Sequence, residues 1–377
     1  MAGVCGDKLL EQFDDKESKQ IYRELNAIAD ERFKGDPNTS RSQHFDQVVD
    51  EFVADELKAA ERTEIALAHS LDARDGMTSV LNENLNTLNL GPVKALARTV
   101  ESYGNDVVAF TTRVKLLFSQ EIEEAGLHDY FASLRTNVQR QKEVLLEVSE
   151  LNKRNGTPGI TKSKEAAKLA SIYQETINPL RKRQLSAGVR VDDLEARMLR
   201  QVWDREALVL FGNADKFANA MVSRINRAKT FKREASNDEV LKFLRDFYDD
   251  TVRGNEQDVT LTTRSIVRER ETYTQRAMYH RAIHMNTVED TIFVMRQFGD
   301  GDVMSAMFGA VGTTANKTRI VEKFGSNPRN TVEHLKRQAT KSMPKDRVGE
   351  LFESSAKRAA LGDDVDTLMS VIDGSFE

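Results

Sequence analysis

Apolar residues recur along most of this chain with the spacing of one helix face, three or four residues apart, from Lys16 nearly to Ile372. Strand-like alternation of apolar and polar residues does not replace this pattern anywhere, and only 6 prolines occur in 377 residues. Short runs of Gly, Asn and Asp separate the segments. The pattern predicts an all-α fold, an elongated assembly of two or three helical subdomains with no sizeable sheet.

In the N-terminal part the pattern predicts helices from about 16 to 33, from about 42 to 74, and in two or three pieces within 93–154. Glycine is a poor helix former, so we expect interruptions at Gly76, near Gly104 and near Gly126. Pro92 suits the first position of the helix that it opens, because its missing N–H has no partner there in any case.

The run from Asn155 to Gly159 is the strongest boundary signal in the chain. We expect Thr161 to cap the next helix and Pro179 to kink or end it. Beyond it, helices are predicted at 191–210, 214–233, 237–253, 258–297, 316–324, 329–342, 346–360 and 364–372. After about residue 298 the segments become shorter and richer in Gly, Ala, Met and Thr. The predicted subdomains are therefore 1–154, 155–297 and 298–377.

Composition limits the compartment and the chemistry. The net charge of −5 favours neither nucleic acid nor membrane by itself. The only cysteine, Cys5, allows no intramolecular disulfide and no cysteine-rich metal motif, as in proteins that fold in a reducing cytoplasm. The N-terminus lacks the basic and apolar regions of a secretory signal, and no apolar run reaches the roughly 20 residues of a membrane span.

One stretch is strongly basic: residues 181–233 contain 13 lysines and arginines against 6 aspartates and glutamates. Clustered basic side chains bind nucleic-acid phosphates without reading sequence. A solvated helix face is the alternative, as is pairing with the N-terminal residues 1–60, which hold 14 acids and 8 bases. The candidate nucleic-acid-binding residues are Arg181, Lys182, Arg183, Arg224, Arg227, Lys229, Lys232 and Arg233.

His280 and His284 stand four residues apart on a predicted helix, a spacing that can place two imidazoles on one metal. Zinc peptidases with an HExxH motif need a glutamate after the first histidine, and Arg281 occupies that position here. Both histidines also fall on the apolar stripe, which favours a core or interface role. Because no other catalytic motif occurs, we expect a protein that is not an enzyme and has no cofactor, with a metal-dependent hydrolase as the rival hypothesis.

Four short segments carry a family resemblance: Val4–Leu10, Glu61–Leu67, Asn155–Ile160 and Phe298–Asp302. In these the chain resembles the N-terminal helical region of the long internal virion proteins of tailed bacteriophages, the ejection or inner core proteins. The resemblance implies a protein made in the host cytoplasm, packaged in the virion and delivered through the tail to assist genome entry. Such proteins are often much longer, so we expect a compact version or one piece of a larger assembly.

The resemblance implies that the partners are other virion proteins, such as portal or core proteins. The stripes on the longest predicted helices exceed what one thin bundle can bury, so we also expect a homo-oligomer. DNA is a further possible partner through residues 181–233, and the sequence leaves membrane contact open.

Overall fold

The computed structural model describes residues 15–36, 38–88, 91–153, 156–189, 202–231, 235–253, 283–299 and 301–341. Within these ranges all regular secondary structure is helical apart from one isolated antiparallel bridge between Ile225 and Met285. The prediction of an all-α, multi-helix fold without a sheet is therefore confirmed.

The described residues form thirteen helices, which we number in chain order. They are α1 (Asp15–Gly35), α2 (Arg41–Asn86), α3 (Pro92–Glu124), α4 (His128–Ser133), α5 (Val138–Leu151), α6 (Lys164–Ser186), α7 (Arg205–Phe211), α8 (Ala214–Met221), α9 (Arg227–Phe231), α10 (Asn237–Arg253), α11 (Val288–Phe298), α12 (Val303–Phe324) and α13 (Pro328–Lys341).

Helices α1 and α2 form an N-terminal hairpin. Ser40 opens α2 with a capping box, in which its side chain accepts a hydrogen bond from the Gln43 N–H while the Gln43 side chain accepts one from the Ser40 N–H. A small core joins the two helices, made by Ile21, Leu25, Ala29 and Val48. A short line of apolar contacts therefore holds the hairpin together.

Two larger cores hold the centre of the molecule. In the first, α3, α5, α6, α11 and α12 pack around Phe118, whose ring meets the edges or faces of Phe131, Tyr173 and Phe308. In the second, the C-terminal half of α2 packs against α3, α12 and α13 around Met77 and Leu81. Both cores place fully buried side chains on several helices at once, which fixes how those helices meet.

Helices α7 to α11 share a third core that is rich in aromatic rings. Phe217 lies at its centre, within ring-packing distance of Trp203, Phe247, Tyr248 and Phe298. Such ring pairs contribute beyond the apolar area that they bury. The side chains of α11 face two ways, because Val294 and Phe298 enter this core while Ile292 and Met295 enter the core around Phe118.

The apolar cores cross both subdomain boundaries predicted from the sequence. The core around Phe118 takes Leu145 from before residue 155, Leu169 and Ile292 from 155–297, and Met307 from after 298. Packing among the described residues therefore continues across 154/155 and 297/298.

Two predicted interruptions are absent: α2 runs through Gly76, and α3 runs through Gly104. A helical glycine costs about 1 kcal/mol relative to alanine, which the packing of the adjacent turns offsets. Next to Gly76, Met77 and Leu81 are fully buried. The break at Gly126 is confirmed, since this residue has a φ of 68° and follows the end of α3.

The predicted cap of α6 was wrong, and the helix does not end at Pro179. Ser163, not Thr161, caps the helix, with its hydroxyl accepting from the Ala166 N–H at 3.2 Å. Pro179 lies inside the helix. The turns around Pro179 stay helical because Ile177 and Leu180 are buried and Gln184 donates to the Thr318 hydroxyl of α12 at 2.9 Å.

Two of the predicted long helices are divided by a backbone contact. The predicted helix 214–233 is interrupted after α8, where the Asn226 N–H donates to the His284 carbonyl at 2.7 Å and the Asn286 N–H donates to the Arg224 carbonyl at 2.8 Å. The same contact prevents residues 283–287 from continuing the helix predicted over 258–297. The predicted helices at 346–360 and 364–372, and most of 258–297, lie outside the described residues.

Candidate assembly surface

The middle of α2 carries apolar side chains that are largely exposed. Leu57 is 62% exposed, Leu67 61% and Leu71 46%. With the half-buried Val53 and the exposed Ala60, they follow alternating steps of four and three residues along the helix. This is the spacing of a coiled-coil seam, and it leaves a mostly apolar stripe, interrupted by Glu64, facing solvent. We call Val53, Leu57, Ala60, Glu64, Leu67 and Leu71 the α2 stripe.

The stripe lies between two anchored ends of α2. Toward its N-terminus the helix packs on α1 through Val48. Toward its C-terminus it packs on α3, α12 and α13 through Met77 and Leu81. Among the described side chains from 57 to 65, all are exposed except the half-buried Arg62. Among the described residues, this part of the helix is therefore largely open to solvent.

The C-terminal anchor begins with two glycines that approach the backbone of α2. A Cβ on Gly188 would lie 2.3 Å from the Ala66 nitrogen, and one on Gly325 would lie 2.8 Å from the Ser70 Cα. Both glycines have a positive φ, 76° and 79°, which other residues rarely adopt. Each ends a helix, α6 or α12, so two helix C-termini contact one turn of α2.

A hydroxyl pair completes this contact. The Ser70 and Ser326 hydroxyls lie 2.9 Å apart, and the Ser326 N–H donates to the Ser70 hydroxyl at 3.0 Å. Ser70 donates in turn to the Ala66 carbonyl of its own helix. The position of α2 is therefore set by backbone approach and hydrogen bonds directly beside the exposed stripe.

The structure places Arg183 in a partly exposed ion pair between α6 and α12. Its guanidinium donates to both carboxylate oxygens of Glu322 on α12, at 2.6 and 2.7 Å, and lies 4.7 Å from the centre of the Phe110 ring. This two-point geometry is the strong form of an arginine–carboxylate pair. This guanidinium links α6 to α12, and two of its N–H groups are already bound to Glu322.

The same cluster extends across three helices. Arg319 donates to both oxygens of Asp106 on α3, at 2.7 and 3.0 Å, and to Glu322 at 3.1 Å. The hydrogen bonds from Arg319 hold the pKa of the Asp106 carboxyl below its ordinary value despite partial burial. The charges of α3, α6 and α12 thus neutralise one another, and the cluster fixes how these helices meet.

Arg224 and Arg227 also make contacts within the third core. Arg224 pairs with Asp290 at 2.7 Å and lies 3.9 Å above the Phe293 ring, which ties the turn after α8 to α11. Arg227 donates to the Ala235 carbonyl at 3.3 Å and to the Asn237 side chain. Both arginines hold chain segments together in this structure.

The remaining basic candidates are distributed differently. Lys182 and Lys229 are exposed, and Arg181 is half-buried. Lys232 and Arg233 lie outside the described residues. The basic stretch is thus divided between α6, whose arginine joins the central bundle, and α9 in the third core.

His284 lies in the bridge segment before α11, not on a helix. Its backbone N–H donates to the Thr230 hydroxyl at 2.9 Å, and His280 lies outside the described residues. The described ranges contain no group of three or more His, Cys, Asp or Glu residues able to hold a metal ion. A search of the described helices for membrane spans finds none that is sufficiently long and apolar.

The most deeply buried carboxylate of the described residues is that of Glu147, which is fully buried on α5. It accepts hydrogen bonds from the Gly159 N–H at 2.7 Å, the Thr161 N–H at 2.7 Å and the Thr161 hydroxyl at 2.6 Å. Burial alone would raise the pKa of this carboxyl, but these hydrogen bonds outweigh it and lower the pKa. Glu147 therefore holds the loop before α6.

Comparison with known proteins adds no relative to this description. No protein-family model matches the chain, and neither the curated proteins nor the solved structures give a significant match. The resemblance to internal virion proteins stays a prediction that rests on the four short segments.

Sequence reasoning did not single out the α2 stripe or the Arg183–Glu322–Arg319–Asp106 cluster. The 4-3-4-3-4 spacing from Val53 to Leu71 is visible in the sequence, although the buried face of the same helix follows a similar period. Only the positions of the neighbouring helices decide which of the two faces is covered. The pairs Arg183–Glu322 and Arg319–Asp106 join residues more than a hundred positions apart, and no local pattern marks them.

Proposed function

We propose that this chain is a structural protein of a phage virion, an internal or ejection protein that oligomerises and assists genome delivery into the host. The observation that carries the proposal is the α2 stripe, an apolar surface on a helix anchored at both ends. Such a surface suits a protein that acts by binding neighbours. The sequence resemblance supplies the biological setting, with portal or core proteins as the neighbours.

The architecture suits passage and reassembly as well. The contacts within the hairpin join two consecutive helices, and contacts of that kind form fast. Helices re-form on a microsecond scale or faster once a chain is released. The arginine contacts of Arg183 and Arg224 support assembly over DNA binding, because these side chains are already paired with carboxylates.

The composition of purified phage particles tests this function. We expect mass spectrometry to find the chain in intact particles and to find it depleted in particles that have released their genome. A chain missing from intact particles would show the proposal to be wrong. A chain that stays fully bound after genome release would leave a virion protein without an ejection role.

Non-specific DNA binding is the second candidate, and the exposure of Lys182 and Lys229 favours it. Binding through phosphates must weaken as salt rises. The double variant Lys182→Glu/Lys229→Glu leaves the described ion pairs intact and should reduce DNA affinity several-fold in a fluorescence anisotropy titration. Lys94→Glu/Lys168→Glu, a reversal of two exposed lysines elsewhere, is the matched control. Salt-independent affinity, or equal loss in both variants, contradicts this function.

A further inference from the structure

The α2 stripe has the symmetry that a contact between two copies requires. Its six positions mirror about residue 62, so that Val53 corresponds to Leu71, Leu57 to Leu67 and Ala60 to Glu64. A two-fold interface must use one patch on both subunits, and only a self-complementary patch can do so. An antiparallel pair of α2 helices crossing at Arg62 meets this condition.

Charge decides between the two directions in which the helices can pair. In a parallel pair Glu64 would stand against Glu64 of the second copy, in the seam itself, where like charges cost most. In the antiparallel pair each Glu64 faces the small Ala60 of the other copy, and its carboxylate can reach the solvent at the edge. Leu57 then packs on Leu67 of the second copy at both ends of the seam.

We infer that the occupant of the α2 stripe is the same stripe of a second copy, in antiparallel orientation. This rests on the proposal of an assembly protein and names its partner. The seam from Val53 to Leu71 is about 27 Å long. One such helix pair is small beside a standard stable interface of roughly 800 Å² per partner, so we expect a weak dimer whose population depends on concentration.

The first test is the mass of the full-length protein by sedimentation or light scattering between about 1 and 100 μM. We expect a concentration-dependent dimer, and Leu57→Asp/Leu67→Asp should weaken it at least about tenfold. The control is Val108→Asp/Leu116→Asp on α3, which changes two side chains of similar exposure, 58% and 64%, outside the stripe. Circular dichroism checks that all proteins stay folded.

Crosslinking tests the direction of pairing in a Cys5→Ser background. In the antiparallel pair, a mixture of Leu57→Cys and Leu67→Cys proteins should give a disulfide-linked dimer. Leu57→Cys alone should not, because the two sites are then about 15 Å apart along the helices, beyond disulfide reach.

A monomer at every concentration, or equal weakening by the α3 control, overturns the inference, as does efficient crosslinking of Leu57→Cys alone. These outcomes leave the virion function to be judged separately by particle composition. If the chain is absent from particles but forms a stripe-dependent antiparallel dimer, the virion function is wrong and the inference about the stripe stands.

Discussion

The two halves of α2 belong to one continuous helix but are held in different ways. Among the described residues, the N-terminal half packs on α1 through a core of four buried apolar residues. The C-terminal half is enclosed by α3, α12 and α13, and its side chains Met77 and Leu81 are completely buried. Helical continuity therefore does not imply equal stability. The number of neighbouring helices decides how much each turn contributes.

The largest effect is expected at the centre of the bundle. Phe118→Ala removes the ring that packs on Phe131, Tyr173 and Phe308, and should lower the free energy of unfolding by about 3–5 kcal/mol in a chemical denaturation experiment. Leu116→Ala, two residues away and mostly exposed, should change it by less than about 0.5 kcal/mol. Similar losses in the two variants would contradict the described core.

A matched pair of leucines compares the two halves directly. Leu81→Ala and Leu25→Ala remove equally buried side chains, each at a cost of about 2–5 kcal/mol. Leu81→Ala should lower the stability of the bundle. Leu25→Ala should increase amide hydrogen exchange in α1 and the start of α2 while the exchange of α3 and α12 stays unchanged. Slow exchange throughout the Leu25→Ala protein would show that the hairpin is not a separate unit.

The buried Glu147 gives a pH-dependent effect of intermediate size. Glu147→Gln loses charge-assisted hydrogen bonds to the loop before α6 and should cost about 1–3 kcal/mol at neutral pH. Because the pKa of Glu147 is lowered in the folded state, its contribution is complete above the ordinary carboxyl pKa and is lost as pH falls through the folded value.

The measurement is the difference in unfolding free energy between the wild-type and Glu147→Gln proteins from neutral to acidic pH. This difference should shrink as the solution becomes acidic. The exposed Glu123→Gln is the control, and it should show a small effect. A difference that does not change with pH would show that the stabilisation by Glu147 does not depend on its negative charge.

The smallest expected effect concerns the pairing of Arg183 with Glu322. Because Arg183 is more than a third exposed, a double-mutant cycle with Arg183→Met and Glu322→Gln should give a coupling energy of about 1 kcal/mol or less, reduced by salt. A coupling of zero at low salt would show that this pair does not help to join α6 and α12.

The sequence was sufficient for the existence and type of most helices, since apolar spacing predicts α1 and α10, and Pro92 marks the start of α3. It failed where distant contacts override local preference. Pro179 stays within α6 because Leu180 and Gln184 pack on α12, and Gly76 stays within α2 because Met77 is enclosed. Conversely, the helix predicted over 214–233 breaks at Ile225, where the chain pairs with Met285, sixty residues later.

The predicted basic site shows the same limit. Arg183 and Arg224 look like free positive charges along the chain, yet their carboxylate partners lie 139 and 66 residues away. Charge counting in a window cannot detect such pairs. It did detect Lys182 and Lys229, which remain exposed.

Gly188 and Gly325 have a mechanical consequence, because they hold α2 at the single turn from Ala66 to Ser70. From that pivot the helix extends as a lever of about 37 Å to its first residue, Arg41, so a tilt of about 5° at the glycines displaces the α1 hairpin by about 3 Å. A bulkier residue at either glycine would change the angle at which α2 leaves this turn. It would therefore shift the α1 hairpin at the other end of the helix.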